Sequence, residues 1–150
     1  MPRWLQVALT LVLFTAPAKA EEPPLSPTLI RVFNNFAHEH ATCAAYMIVA
    51  SKCFQTDKDP TLRERLATVG SAAITRGQEW TARAKLKPET FVARIQIDTQ
   101  QMVTKLESNC SNISLLLAEH AAPCKLLIDD PDKRIETLTD EVMAKEAQGR

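Results

Sequence analysis

The side chains with the richest chemistry in this sequence are cysteines, histidines and a methionine at one-turn spacings. His40, Cys43 and Met47 fall on one face of a predicted helix, and His120 precedes Cys124 by one turn of another. Imidazole, thiolate and thioether groups are ligands that copper and zinc accept. One hypothesis is therefore a metal-handling protein with His40, Met47 and His120, and possibly cysteines, as ligands.

The N-terminal residues indicate export. Arg3 precedes an uncharged apolar run over residues 4–14, and Ala18-Lys19-Ala20 has the small-x-small pattern of a signal-peptidase site before Glu21. The run is about half the length of a bilayer-spanning helix. We therefore expect a cleaved signal peptide at residues 1–20 and a periplasmic protein, or alternatively an extracellular one, with no membrane span after cleavage.

Charge and composition argue against nucleic-acid binding and favour a helical protein. Cleavage removes two of the 18 basic residues and none of the 18 acidic ones, which leaves a net charge near −2. Nucleic-acid binding needs a basic surface, so we expect no nucleic-acid partner. The 150 residues include only 3 glycines, a composition that suits helices.

Hydrophobic periodicity predicts four helices and a shorter fifth. Proline follows a capping residue at Ser26-Pro27, Asp59-Pro60 and Asp130-Pro131, and Pro88 begins the third helix. Short connections favour antiparallel neighbours, so we predict an all-α, up-down four-helix bundle with a short fifth C-terminal helix. The single domain covers residues 26–147, between a flexible entry segment at 21–25 and a frayed tail at 148–150.

Three residues within the predicted helices do not suit a helix interior. Pro123 is expected to kink or split the fourth helix, because it lacks a backbone N–H and collides with the preceding turn. Gly70 and Gly77 each weaken the second helix by about 1 kcal/mol relative to alanine. We expect both glycines to lie at positions where the backbone of a neighbouring helix comes close.

An even number of cysteines in an exported chain predicts disulfides, and helix geometry selects the pairing. Cys43 and Cys53 lie about 15 Å apart along one helix, too far to pair with each other. In an up-down bundle the ends of the first and third helices meet, which brings Cys53 to Cys110. The nested pairs Cys53–Cys110 and Cys43–Cys124 therefore fit best.

These bridges weaken the metal hypothesis. Oxidised cysteines are poor metal ligands, and the nested pairing separates His40 and His120 by about 10 Å along the bundle axis. The simpler interpretation is that both histidines lie on core faces and are hydrogen-bonded locally.

A second candidate site surrounds a tryptophan. Arg76, Arg83 and Lys87 lie on the same side of a helix as Trp80, at successive turns. This cluster could bind an anion or stack a planar ligand. The alternative is a core tryptophan at the edge of the bundle, covered by arginine stems.

Several segments resemble those of known proteins. Residues 43–53, 110–124 and 130–134 are similar in cysteine spacing to a group of small exported, all-helical, four-cysteine proteins of Gram-negative bacteria. The resemblance covers residues 36–138. It implies a periplasmic helical bundle and brings no activity or site residues.

Catalytic motifs are missing from the sequence, so we expect no enzyme and no cofactor. The patterns G-x-S-x-G, H-E-x-x-H and the glycine-rich phosphate loop do not occur. The expected function is a disulfide-stabilised, non-catalytic periplasmic module that binds a ligand or a protein of the cell envelope. Metal handling is the alternative, and an enzyme without a recognisable motif is the third possibility.

Overall fold

The computed structural model describes residues 24–54 and 60–148, and these residues form five α-helices without a β-strand. The predicted signal peptide and residues 21–23 of the entry segment lie outside the described residues. The helices are α1 (Pro27–Cys53), α2 (Pro60–Arg83), α3 (Pro88–Lys105), α4 (Ser114–Asp129) and α5 (Pro131–Gln148), and a 3-10 turn (Cys110–Asn112) precedes α4.

The start of α1 follows the predicted capping signal, whereas Asp59, the predicted cap of α2, lies outside the described residues. The Ser26 hydroxyl accepts a hydrogen bond from the Leu29 N–H at 3.2 Å, and Pro27 occupies the first turn of α1. Pro88 occupies the first turn of α3, where the N-cap residue Lys87 makes no side-chain capping hydrogen bond. Proline suits the first turn because its missing N–H would have no partner there.

Helix α1 is the centre of the fold and contacts each of the other four α-helices. Its sequence is apolar around most of the circumference, as expected for a helix with neighbours on several sides. Alanines form much of its buried surface and let those neighbours approach closely: Ala37, Ala41, Ala44, Ala45 and Ala50. Helices α3 and α4 each pack on α1 but have little contact with each other.

Two disulfides join α1 to the C-terminal half of the chain. Cys43 is bonded to Cys124 of α4, with the Cα atoms 5.5 Å apart. Cys53, the last residue of α1, is bonded to Cys110 of the 3-10 turn, with the Cα atoms 5.1 Å apart. These are the two pairs that the sequence predicts.

The fifth helix is not short, and this corrects the predicted bundle. Helix α5 has 18 residues, the length of α3, and it includes Gln148 of the predicted tail. Leu138 and Val142 are buried along it. Near its end, Glu146 accepts a hydrogen bond from Thr28 at 3.0 Å and pairs with Arg31 at 3.0 Å, which secures the last turns against the start of α1.

Pro123 lies within α4 and does not split it, contrary to one of the predicted outcomes. The neighbouring Cys124 is bonded to α1, and Leu127 one turn later is 1% exposed. Attachment to α1 on the inner face therefore holds the C-terminal half of α4 in line despite the lost backbone hydrogen bond.

The two glycines of α2 face side chains rather than a neighbouring backbone. A Cβ atom at Gly77 would overlap the ring of Phe91 and lie 2.9 Å from the Cβ of His40. A Cβ atom at Gly70 would lie 3.1 Å from the Cβ of Met47. Gly77 is therefore the tighter of the two contacts between α2 and its neighbours.

We expect Gly77→Ala to destabilise the protein by about 1–3 kcal/mol, because overlap with a buried ring outweighs the gain in helix propensity. Urea unfolding measures the change. Gly70→Ala is the matched control and should cost less. Equal stability of the two variants would contradict the packing described here.

Candidate binding groove

A groove runs along α1, and we refer to it as the α3–α4 groove. Its smaller cavity, of about 340 Å³, lies between α3 and α4, and its larger cavity, of about 570 Å³, is lined by α1, α4 and α5. Both cavities are lined by His38, Thr42 and His120. The smaller cavity exists because α3 and α4 flank α1 without closing over it.

The floor of the smaller cavity carries a buried polar network centred on Asp98. The Thr42 hydroxyl donates to Asp98 Oδ2 at 2.7 Å, and Arg94 Nε lies 3.0 Å from Asp98 Oδ1. The Asp98 side chain is only 5% exposed, whereas that of Arg94 is 41% exposed. A carboxylate at this depth needs a charged partner and hydrogen bonds, and the network supplies both.

The network also determines the protonation state and the tautomer of His38. Arg94 Nη2 lies 2.8 Å from His38 Nε2. A guanidinium can only donate, so Nε2 must accept, and His38 is neutral with its proton on Nδ1. Burial lowers the pKa of His38, and the positive charge of Arg94 lowers it further.

His120 lines the opposite wall, on α4. Its ring lies 5.8 Å from that of Tyr46, and burial is the main reason that its pKa is lowered. The neighbouring Glu119 is bound by Lys105 of α3, and this ion pair bridges the groove. The same lysine lowers the pKa of Glu119.

The larger cavity is mainly apolar. Pro123 and Leu126 of α4 line it together with the Cys43–Cys124 disulfide. Arg134 of α5 also lines this cavity, and its Nε donates to Glu39 of α1 at 2.9 Å.

The ionic groups that line the groove are paired within the chain. Arg94 pairs with Asp98 and Lys105 with Glu119, while Arg134 binds both Glu39 and Glu141. The lining therefore offers no unpaired charge to a ligand. Such a groove suits an uncharged ligand with an apolar part and a hydrogen-bonding part.

The residues of the metal hypothesis face in different directions. His40 is completely buried, with Nδ1 2.9 Å from the Phe36 carbonyl oxygen and its ring edge-on to Phe36. Met47 faces Gly70 of α2, whereas His120 lines the groove. Within the described ranges, no three or more histidine, cysteine or acidic side chains are arranged to hold a metal ion.

The tryptophan cluster is largely a core contact. The Trp80 ring packs edge-on against Phe36, with the centroids 5.0 Å apart, and the Arg83 guanidinium lies 4.4 Å from the centre of the indole ring. Arg76 Nη1 donates instead to the Ile128 carbonyl oxygen at 3.4 Å, and Lys87 is the N-cap residue of α3. The structure thus joins Arg83 to Trp80 and directs Arg76 towards α4.

The sequence patterns did not predict Thr42, Arg94 and Asp98 as site residues, although α3 contains one signal for them. The apolar stripe of α3 contains Phe91 and Met102, and Asp98 falls between them on the same face. A carboxylate in a core register indicates a buried polar network. Thr42, which donates to Asp98, lies on α1, so the sequence of α3 alone does not identify it as a partner.

No protein-family model, curated protein or solved structure matches this chain. Among the described helices, none is long and apolar enough to cross a membrane.

We expect Arg94→Ala to destabilise the protein more than Asp98→Ala. The first variant leaves a buried carboxylate without its cation, at a cost of about 3–5 kcal/mol. The second leaves a guanidinium that reaches water, and about 1–3 kcal/mol is lost with the hydrogen bond to Thr42. Urea unfolding measures both, and Lys105→Ala in the exposed pair is the control, with a loss below about 1 kcal/mol. The reverse order would contradict the network.

We expect stability to fall as the pH drops from 7.5 to 5.5. Burial lowers the pKa of His38, His40 and His120 below the ordinary value of 6.5. Below that value the unfolded chain binds more protons than the folded one. Each neutral histidine can then cost up to about 1.4 kcal/mol per pH unit.

Urea unfolding at several pH values measures this dependence. His40 is the most buried of the three histidines, so His40→Gln should flatten the dependence more than His38→Gln or His120→Gln does. An unchanged slope in His40→Gln would show that His40 protonates equally in both states.

Proposed function

We propose that this protein is a non-catalytic binding module and that the α3–α4 groove is its binding site. The observation that carries the proposal is the open groove itself, with its apolar end and its internally neutralised polar floor. The favoured partner is a protein of the cell envelope, which would place an apolar side chain in the larger cavity and polar groups against His38 and His120. A small amphipathic molecule would use the same features.

A non-catalytic role is supported by the way the chemically capable groups are used. The carboxylate of Asp98 is held by Thr42 and Arg94, and the Nε2 atom of His38 is held by Arg94. His40 is enclosed in the core. General acid–base catalysis needs a group that can reach its substrate and change protonation near the working pH.

Two features support a periplasmic location in this proposal. Disulfides persist in oxidising compartments, and both cysteine pairs here are closed. The apolar N-terminal run and Ala18-Lys19-Ala20 have the pattern of an export signal. The resemblance to small exported four-cysteine proteins points the same way.

We also propose that α1 to α4 have the up-down order. Thr42 contacts Asp98, and Cys53 is bonded to Cys110 just beyond the end of α3. From the first contact to the second, the residue numbers increase along both helices. This supports a parallel course of α1 and α3. The contacts between α1 and α4 run in the opposite sense, which supports an antiparallel course.

Site-specific photo-cross-linking tests the binding site. A photoreactive amino acid replaces Gln101, which lines the groove, or Gln78, an exposed glutamine of α2 that serves as the matched control. Irradiation in the periplasm of a Gram-negative cell should give a discrete adduct from position 101 and none from position 78. Native mass spectrometry of the unmodified protein from the same compartment detects a small ligand. The proposal fails if position 101 gives no adduct and the protein retains no ligand.

A further inference from the structure

Helix α4 has an outer face without a partner among the described residues. Leu115 is 47% and Leu126 38% exposed, and Ala118 and Ala122 between them are also exposed. These four side chains fall within about 80° around the helix axis and extend over about 16 Å. We call them the α4 stripe. A helix that is apolar on its outer face as well as its inner face normally has a neighbour on both.

The order of residues in the α4 stripe is symmetric about its midpoint. A leucine stands at each end and two alanines stand between them. If a second α4 packs antiparallel against the first, Leu115 of each copy meets Leu126 of the other. The alanines then lie at the centre, where their small side chains let the two helices approach closely. A twofold interface requires this self-complementarity, because each copy presents the same surface.

The charges beside the α4 stripe are compatible with such a pair. Glu119 is bound by Lys105, and Lys125 is bound by Asp129. The two ion pairs leave no net charge along this face, so two copies meet without net repulsion. A strongly charged partner, by contrast, would find no complementary field here.

We propose that the α4 stripe binds a second copy of this chain and forms an antiparallel twofold dimer. One helix face of this length covers only a few hundred Å² per copy, less than the roughly 800 Å² per partner of a standard interface. The dimer is therefore weak, with a dissociation constant in the micromolar range or above. Ala122 and Leu126 of the α4 stripe also line the larger cavity of the α3–α4 groove, so the dimer would cover the edge of that cavity. The dimer does not depend on the function proposed for the groove.

Analytical ultracentrifugation of the protein at concentrations from about 1 µM to 1 mM tests the proposal. The sedimentation coefficient should rise with concentration to that of a dimer. Ala122 of the two copies should lie about 4.5 Å apart along the helix axis. Ala122→Glu and Ala122→Lys place like charges there and should each weaken the dimer at least tenfold. Ala72→Glu, at an exposed alanine of α2, is the matched control and should dimerise as the unmodified chain does.

An equimolar mixture of Ala122→Glu and Ala122→Lys should form a heterodimer, because opposite charges then face each other. Circular dichroism confirms that each variant is folded. A chain that stays monomeric at 1 mM, a dimer that Ala122→Glu leaves intact, or a mixture that remains monomeric would each overturn the proposed interface. The function proposed for the groove is tested separately, by cross-links from Gln101 in the smaller cavity, which contains no residue of the α4 stripe.

Discussion

The bond between Cys43 and Cys124 is the attachment on which the arrangement of the C-terminal half depends. Helix α4 has far less packing against α1 than α2 and α3 have, and it has little contact with α3. Its position beside α1 is maintained by a covalent bond near its C-terminal half and by a second bond just before its start. In the chain-entropy description, each disulfide lowers the entropy of the unfolded chain and thereby stabilises the folded protein by about 4 kcal/mol. Packing alone would hold α4 only weakly against α1.

This mode of attachment explains why a groove can persist beside a small hydrophobic core. Helices that rely on packing must close over their neighbours to bury enough apolar surface. A helix held by disulfides can remain apart from α3 and leave part of α1 uncovered. The uncovered part carries His38 and Thr42, and the network with Arg94 and Asp98 supplies the hydrogen bonds that a polar floor requires. The disulfides therefore hold α4 in place without close packing, and the polar network provides hydrogen bonds for the part of α1 that remains uncovered.

Sequence patterns predicted the features that depend on local chemistry or simple geometry. Ser26 and Pro27 mark the start of α1, and the 1.5 Å rise of a helix, combined with the predicted up-down order, was enough to derive both disulfide pairs. The length of α5 was not predictable in the same way, because its polar surface carries few apolar positions and its last turn depends on Glu146 meeting α1. The smaller cavity of the groove depends on a gap between α3 and α4, and a gap leaves no periodic signal in either helix.

The nesting of the two disulfides has a consequence for the integrity of the chain. Both bonds connect residues up to Cys53 with residues from Cys110 onward. The intervening segment contains α2, α3 and their links, and it forms a loop closed twice by sulfur. A single proteolytic cut anywhere in that loop leaves one covalent molecule, with α1, α4 and α5 still joined. Hydrolysis at the link between α2 and α3, where Lys85 is exposed, would thus nick the protein without separating it into fragments.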